Sequence, residues 1–297
     1  MEVNQKCGFE AQDITNSWKN IFPFLHLPDN ASVVWQNVNG GHINPRNLVT
    51  AHQTAAQMCD AQILHKIVST VLPSKCDTHK WDVVTECGSV LQGHRVLVAA
   101  GGFAALKPLF HHVAPQMVPD LELRTQTISY LCISAEEAQR LKLMPSLIIN
   151  APHGNIDGVY VLPPIKYPDG NWYLKLGHGR AYEERKTTLC EVREWYIQQS
   201  GLPECVDELV KYFCHLLPGL TVEKVSGDGC LTSHTPTSYP YIDTVTDGFG
   251  VALGGNGCAA KACDEVGRLA ARLVVLGEWE SEVPKECLKI IWKPSQL

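Results

Sequence analysis

The sequence contains no Cys-x-x-Cys pair, although its 297 residues include 12 cysteines. Paired zinc knuckles are therefore not expected, and we predict no metal site. Cys59, Cys132, Cys214 and Cys263 lie in apolar periodic segments, where a free cysteine behaves as a small buried hydrophobic residue. Cys230 is the exception, because its segment is polar and rich in turn-forming residues.

Basic residues are also few, with 25 Lys and Arg against 31 Asp and Glu and a formal net charge of −6. The chain therefore offers no basic face for a nucleic acid. No apolar run approaches the roughly 18 residues that a membrane-spanning helix needs, and the N-terminus lacks the apolar core of a signal peptide. We expect a protein without a membrane span, located in the cytoplasm, or in the peroxisome because Ser295-Gln296-Leu297 weakly resembles a peroxisomal signal.

The closing third of the chain predicts a strand, a glycine turn and a helix. The apolar run Phe249–Leu253 meets Gly254, Gly255 and Gly257, and apolar residues then recur at helical spacing up to Leu276. The N–H groups at the start of such a helix favour an anionic ligand. A glycine turn that only packs the helix against the sheet remains an alternative.

The first half has a strand and helix rhythm. Residues 13–24 predict a short helix and 32–38 a strand, and a helix over 46–59 starts after Asn44 and Pro45. Strands are expected at 61–72, 81–87 and 94–100, the last continuously apolar like a buried parallel strand. We expect a helix over 103–112 to follow it.

From residue 116 the pattern changes to alternating strands, which predict an antiparallel sheet. Tyr167-Pro168-Asp169-Gly170-Asn171 is a strong hairpin turn. Two helices, over 187–200 and 204–217, close this part, and the second has an apolar face. The predicted strands cover 121–133, 146–150, 159–163 and 172–177.

Five segments together resemble the FAD-dependent oxidoreductases of the D-amino-acid oxidase and monomeric sarcosine oxidase superfamily. They occur in the order of that superfamily and cover nearly the whole chain. The segments are G-G-H-I-N-P-R-N-L-V-T-A-H-Q-T-A-A, V-L-V-A-A-G-G-F-A, L-R-T-Q-T-I-S-Y, V-Y-V-L-P-P with W-Y-L-K-L-G-H, and G-C-L-T-S-H-T-P with G-G-N-G-C-A-A-K.

The resemblance implies an α/β plus α+β fold, in which an FAD-binding Rossmann-like domain interleaves with an antiparallel-sheet substrate domain. We expect the FAD-binding domain over 30–115 and 218–280, the substrate domain over 1–29 and 116–217, and a tail over 281–297. The implied reaction oxidises the C–N bond of a small amine or amino acid, with dioxygen accepting the electrons and forming hydrogen peroxide. A dehydrogenase with another acceptor is equally compatible with the fold.

One departure from the family pattern is the absence of the opening G-x-G-x-x-G segment, which holds the ADP half of FAD in that superfamily. The chain therefore resembles a truncated relative with an incomplete FAD-binding domain, and we expect weak FAD binding and low stability on its own. The alternative function is a non-catalytic interaction module without FAD.

The resemblance also assigns site residues. Lys175 corresponds to a lysine over the flavin that activates dioxygen, with a solvated strand-end lysine as the alternative. Cys230 corresponds to a cysteine bonded covalently to the flavin 8-methyl group, with an unmodified thiol as the alternative. Tyr160 and His178 are candidates for the substrate pocket. The remaining candidate cofactor contacts are Arg46, Gly254, Gly255, Asn256, Gly257 and Lys261.

Overall fold

The computed structural model describes residues 10–178 and 182–295, which form two compact units. The first unit comprises Met1–Asn44, Gln126–Glu183 and Trp195–Cys230, and the second comprises Pro45–Thr125, Glu184–Glu194 and Leu231–Leu297. The chain thus passes repeatedly from one unit to the other, as the interleaved pattern predicts, although the unit boundaries differ from the predicted domain boundaries. The assignment of a cofactor domain and a substrate domain stays a prediction.

The elements of the described residues are numbered along the chain. The helices are α1 (Trp18–Ile21), α2 (Pro45–Met58), α3 (Ala135–Arg140), α4 (Leu189–Gln198), α5 (Pro203–Leu216) and α6 (Ala259–Leu276), with 3₁₀ turns at Gly101–Ala105 and Lys285–Leu288. The strands are β1 (Gln12–Asp13), β2 (Val34–Trp35), β3 (Val68–Pro73), β4 (Trp81–Thr85), β5 (Val90–Gly93), β6 (Val96–Val98), β7 (Met117–Pro119), β8 (Glu122–Ile133), β9 (Leu147–Ile149), β10 (Val159–Lys166), β11 (Trp172–His178), β12 (Arg185–Lys186), β13 (Lys224–His234), β14 (Tyr241–Thr246), β15 (Phe249–Leu253) and β16 (Trp292–Pro294).

The first unit contains the predicted antiparallel sheet. Its strands follow the order β9-β10-β11-β8, and β13 also pairs with β8. The hairpin between β10 and β11 closes at the predicted turn, where the Tyr167 amide donates to the Asn171 carbonyl at 2.9 Å. An Asx contact supports this turn, because Asp169 Oδ1 accepts from the Asn171 amide at 3.0 Å. Both predictions are confirmed.

The core of the first unit lies between one face of this sheet and α5. Successive side chains of a strand point to opposite faces, and every second residue of β11 on this side, Leu174 and Leu176, is fully buried. The apolar face of α5 contributes Leu209 and Phe213, also fully buried. Burial of each such side chain stabilises the fold by about 1.5–3 kcal/mol. The predicted apolar face of this helix is therefore confirmed.

A small mixed sheet organises the second unit. Its order is β14-β15-β6, with β15 parallel to β6 and antiparallel to β14. Helix α6 packs on β15, and a Cβ atom at Gly250 would lie 2.2 Å from Val274 Cγ2, so only glycine fits there. The predicted strand, turn and helix are confirmed. The parallel partner is shorter than predicted, and its Leu97 is 37% exposed instead of buried.

The predicted helix over 103–112 is wrong. The chain forms a 3₁₀ turn at Gly101–Ala105 and then a series of turns. Pro108 explains the difference, because a proline inside a helix lacks the N–H donor and its ring clashes with the preceding turn. Phe110 is nevertheless buried against Phe249, so this irregular segment still contributes to the core.

Helix α2 matches its predicted range to within one residue, but none of its residues is buried. The strand predicted over 61–72 is reduced to Val68–Pro73, which pairs with β4. A strand persists only where a neighbour satisfies its N–H and C=O groups. Between these elements, Leu64 and Ile67 remain 48% and 60% exposed.

Some shorter predictions also need correction. The helix expected over 13–24 is the single turn α1, and the strand expected over 32–38 is only β2. Of the cysteines expected to be buried, Cys132 is buried and Cys263 is partly buried, whereas Cys59 and Cys214 are exposed. In the described part of the chain, no helix is both long and apolar enough to cross a bilayer.

Candidate functional site

Lys175 lies on the face of the first unit's sheet that points away from the core. Its neighbours Leu174 and Leu176 are fully buried, so the alternation of the strand directs the lysine to the opposite side. Lys175 is opposite Tyr130 of β8 in the strand register, and its Nζ atom lies 5.8 Å from the centroid of the Tyr130 ring. This is the geometry of a cation–π contact.

The surroundings of Lys175 are partly desolvated. Loss of solvent lowers the pKa of its ammonium group, whereas the nearby Cys230 and Asp228 act in the opposite direction. Lys175 and Cys230 are therefore neighbours on the same side of the sheet. The role of Lys175 in activating dioxygen stays a prediction.

Tyr160 belongs to the same face because it is opposite Gly177 in the pairing of β10 with β11. A Cβ atom at Gly177 would lie 2.2 Å from Tyr160 Cε1. The tyrosine ring therefore lies over Gly177 of β11, where any larger residue would clash with it. Tyr160 as a whole is 38% exposed, but loss of solvent, and next the neighbouring Cys230, raise the pKa of its hydroxyl. His178 ends β11 opposite Val159, and its side chain lies outside the described part of the structure.

Cys230 lies within strand β13, and the prediction of a turn-rich segment is wrong. Its carbonyl accepts a hydrogen bond from Trp195 Nε1 at 3.0 Å. Glycines beside a site residue can let a ligand approach the backbone, but the glycines before Cys230 make room for protein. Cβ atoms would lie 2.0 Å from the Ser200 carbonyl oxygen at Gly227 and 3.0 Å from the Trp195 ring at Gly229. Sequence alone could not distinguish these two uses of glycine.

The electrostatic surroundings of Cys230 keep its thiol protonated. Burial raises its pKa most, Asp228 raises it further, and Lys175 opposes both. A thiol with a raised pKa is a weak nucleophile until a neighbouring group or ligand stabilises the thiolate. Lys175 is the described cation that acts in that direction.

The second unit contains the glycine turn between β15 and α6. Gly254, Asn256 and Gly257 have φ values of +75°, +51° and +73°. These left-handed conformations explain the glycines. A Cβ atom at Gly254 would also lie 2.3 Å from Thr235 Cγ2, which makes substitution there doubly unfavourable. The turn is therefore a rigid element with one preferred backbone path.

Asn256 holds this turn through its side chain. Its Oδ1 accepts from the Thr235 amide at 2.9 Å, and its Nδ2 donates to the Gly254 carbonyl at 2.7 Å. These bonds give Asn256 a structural role, and the cofactor contact expected of it stays a prediction. Thr235, which sequence reasoning missed, is 6% exposed and also donates from Oγ1 to the Tyr239 carbonyl at 2.6 Å.

Replacement of Asn256 by alanine is expected to lower the free energy of unfolding by about 1–3 kcal/mol, because it leaves polar groups near Thr235 and Gly254 without their partners. Urea denaturation of the two proteins measures this difference. The exposed Asn20→Ala variant is the matched control and is expected to change stability by less than about 0.5 kcal/mol. Equal effects of the two substitutions would contradict the structural role.

The N-terminus of α6 follows the turn and carries no internal cap. Its N-cap residue, Cys258, makes no side-chain capping bond, and the first turn contains no acidic residue. The amides at the start of this 18-residue helix therefore combine with its dipole to favour a negative group. A Cβ atom at Gly255 would lie 2.6 Å from Ala259 Cβ, so this glycine is required by the helix start itself, whereas a Cβ atom at Gly257 would have only Thr232 Cγ2, at 3.7 Å, as a neighbour. The open backbone at Gly257 fits a bound phosphate or flavin.

The two basic residues among the candidate cofactor contacts, Lys261 and Arg46, are solvent-exposed. Lys261 lies in the first turn of α6, with its Nζ atom 3.9 Å from Cys258 Sγ. Arg46 lies in the first turn of α2. Exposed cations of this kind can approach an anionic ligand without a large desolvation cost.

A sequence profile described as FAD dependent oxidoreductase matches residues 2–273. The chain belongs to this family. No match to a curated protein was found. The fold is similar to that of L-proline dehydrogenase from P. horikoshii, with a TM-score of 0.72 and 19% identity over 97% of this chain and 70% of that chain.

Two further solved structures share the fold. Glycine oxidase from Geobacillus kaustophilus has a TM-score of 0.70 and 16% identity, over 98% of this chain and 69% of that chain. A mutant of Amadoriase I from Aspergillus fumigatus has a TM-score of 0.64 and 15% identity, over 95% of this chain and 63% of that chain. These matches confirm the predicted fold class and the resemblance to the family.

Proposed function

We propose that this protein oxidises the C–N bond of a small amine or amino acid, with FAD as cofactor and dioxygen as the electron acceptor. The observation that carries the proposal is Lys175, a partly desolvated cation on the outer face of the sheet, near Tyr160 and Cys230. Family membership supports the cofactor. Because the sequence predicts weak FAD binding, the experiments below use protein loaded with added FAD. The named activities of L-proline dehydrogenase and glycine oxidase support an amine or amino-acid substrate.

The balanced reaction converts R₂CH–NHR′ and O₂ into R₂C=NR′ and H₂O₂. The substrate loses two electrons and two protons, and the imine then reacts with water to release a carbonyl compound and an amine. FAD, when bound, supplies the capacity to take a hydride from the substrate carbon and to return the electrons to dioxygen. The protein must position the substrate and stabilise charge.

Lys175 would stabilise the negative charge that develops on dioxygen as it is reduced. A charge that is already in place requires no reorganisation during the reaction, which makes such electrostatic stabilisation effective. Tyr160, whose hydroxyl stays protonated because its pKa is raised, would donate a hydrogen bond to the substrate. His178 is proposed as a second substrate contact.

The uncapped N-terminus of α6 is proposed to hold an anionic part of FAD, with Gly254, Gly255 and Gly257 forming the backbone cradle and Asn256 keeping its shape. Lys261 and Arg46 would add positive charge to the cofactor contacts. Cys230 is proposed as a covalent attachment point for the flavin 8-methyl group. We further propose a cytoplasmic location, with a peroxisomal one as the alternative because Ser295-Gln296-Leu297 weakly resembles a peroxisomal signal; Gln296 and Leu297 lie outside the described residues.

The Ala260→Glu substitution tests the role of this helix start. A carboxylate in the first turn is expected to raise the free energy of unfolding of the FAD-free protein by about 0.3–1 kcal/mol. The same charge is expected to disfavour the reduced flavin and to lower its midpoint potential by about 5–20 mV. Ala271→Glu, on the same helix but distant from its start, is the control and should leave the potential unchanged. A potential that moves equally in both variants would contradict the placement.

The proposed substrate class is tested by mixing the FAD-loaded protein with amines and amino acids in the absence of oxygen. Glycine is a primary amine, N-methylglycine is an acyclic secondary amine and proline is a cyclic secondary amine. The expected result is bleaching of the visible flavin absorption by at least one of them. If photochemical reduction bleaches the flavin but no amine does, the substrate assignment is wrong.

A further inference from the structure

Three tyrosines surround the turn of the β10–β11 hairpin in the first unit. The ring centroids of Tyr130 and Tyr167 are 5.8 Å apart, those of Tyr167 and Tyr173 are 5.1 Å apart, and those of Tyr130 and Tyr173 are 6.3 Å apart. All three pairs are close to perpendicular, with interplanar angles between 72° and 83°. The three rings therefore expose both faces and edges to the same space.

A cavity of about 400 Å³ lies against these rings. Its size is within the range of small-molecule sites, which starts near 300 Å³. Apart from the aromatic rings, the walls offer a proline ring, a carboxylate and a hydroxyl group. The lining residues are Tyr130, Tyr167, Pro168, Asp169, Tyr173 and Ser226.

The carboxylate of Asp169 is held in position by its neighbours. Its Oδ1 accepts from the Asn171 amide at 3.0 Å, and its Oδ2 accepts from Asn171 Nδ2 at 3.1 Å and from the Tyr173 hydroxyl at 2.8 Å. These hydrogen bonds, with the Asn171 amide first, lower the pKa of Asp169, so the group is negatively charged at neutral pH. The cavity thus combines a fixed negative charge with aromatic walls.

The Asp169 carboxylate and the aromatic walls together favour an organic cation as the ligand. The face of an aromatic ring is negative and attracts ammonium groups, and aromatic cages with an acidic residue suit ammonium groups that carry methyl substituents. Tyr130 already has a cation nearby, since Lys175 Nζ lies 5.8 Å from its centroid. Lys175 does not line the cavity, so the space against Tyr167, Tyr173 and Asp169 is available to a ligand. An anion would be repelled by the Asp169 carboxylate and by the negative faces of the rings.

We propose that this cavity binds an N-methylated ammonium group, with the rings of Tyr167 and Tyr173 contacting the methyl groups and the Asp169 carboxylate balancing the charge. Pro168 completes the apolar wall. Primary amines carry three N–H donors that need acceptors, and Asp169 is the only charged acceptor in this lining. The inference concerns binding alone and does not depend on the proposed oxidation.

The test is a calorimetric titration of the full chain with choline and, separately, with its neutral isostere 3,3-dimethylbutan-1-ol. The two probes have the same shape and differ in charge. Choline is expected to bind at least about five-fold more tightly, because cation–π and carboxylate contacts act on the charged probe only. Equal affinity of the two probes, or no heat from choline at millimolar concentration, would overturn the proposal.

Variants separate the contribution of the Asp169 charge to choline binding from the contribution of the aromatic rings. Asp169→Asn keeps an acceptor for the turn and removes the charge, and it is expected to weaken choline binding about three- to ten-fold. Tyr167→Leu removes one ring and is expected to weaken it about two- to five-fold, whereas Tyr167→Phe retains the ring and the affinity. Tyr239→Leu, in the second unit, is the control. Unchanged affinity in both Asp169→Asn and Tyr167→Leu would show that choline binds elsewhere.

Discussion

Replacement of Lys175 by methionine is expected to slow the reoxidation of reduced flavin by dioxygen by a factor of about one hundred or more. The reduction of the flavin by substrate should change much less, because the lysine charge acts on developing oxygen anion and not on the substrate C–N bond. Stopped-flow absorbance of the FAD-loaded protein measures the two half-reactions separately.

The matched control is Lys166→Met, which removes an exposed lysine at the end of β10. It is expected to leave both half-reactions unchanged, whereas Lys175→Arg should retain most of the reoxidation rate. Equal slowing of both half-reactions in Lys175→Met would identify Lys175 as a structural or substrate-binding residue.

The pH dependence of reoxidation provides a second readout on Lys175. Loss of solvent lowers its pKa, so the ammonium group deprotonates at a lower pH than an exposed lysine does. The charge is present below this pKa and disappears as the pH rises through it. Wild-type reoxidation should therefore slow with increasing pH on the alkaline side, and the Lys175→Met variant should lack that decline.

Replacement of Cys230 by serine is expected to release flavin that the wild-type protein retains after acid precipitation. Thioether formation replaces the S–H bond and one C–H bond of the flavin 8-methyl group with a C–S bond. The two electrons and two protons removed pass to dioxygen. Burial raises the pKa of Cys230, so little of its thiol is ionised at neutral pH and the bond should form slowly. The rate should rise with pH, because more thiolate is then present. Lys175 favours the thiolate.

The control for this experiment is Cys287→Ser, which changes an exposed cysteine of the second unit. Its flavin should stay with the precipitated protein as in wild type. The absorbance of the pellet and of the supernatant after trichloroacetic acid treatment measures the distribution. Flavin that leaves the wild-type protein would show that Cys230 is an unmodified thiol.

Strand alternation explains why much of the first unit could be predicted from the sequence. The pattern of β8, β10 and β11 identified the antiparallel sheet, and Asp169-Gly170 identified its turn. The same alternation places Lys175 outside the core without any knowledge of tertiary contacts. Local patterns succeed here because the buried face of a strand is fixed by every second residue.

Predictions failed where the outcome depends on distant partners. Residues 61–67 have the composition of a strand, but a strand also needs a neighbour for its backbone groups, and β-propensity cannot supply one. The segment of Cys230 was expected to be rich in turns because it contains Gly227 and Gly229, whereas these glycines fit β13 against Ser200 and Trp195. The local sequence does not show which distant residues pack against these glycines.

The tyrosine cluster at the hairpin was missed for a related reason. Tyr167 and Tyr173 flank a recognisable turn, but Tyr130 is more than thirty residues earlier in the chain, and only the pairing of β8 with β11 brings it to them. The aromatic residues beside the predicted hairpin were the only sequence signal for this cluster. Predicting it would also have required the register between β8 and β11.

The measurement that tests the proposed function most directly is the stoichiometry of turnover in air-saturated buffer. With the FAD-loaded protein and an amine that bleaches the flavin, we predict one dioxygen consumed and one hydrogen peroxide formed for each amine oxidised, without any added electron acceptor. An oxygen electrode and a peroxidase-coupled assay measure the two quantities. Turnover that requires an artificial acceptor and forms no hydrogen peroxide would contradict the assignment of dioxygen and of Lys175 as its activating residue.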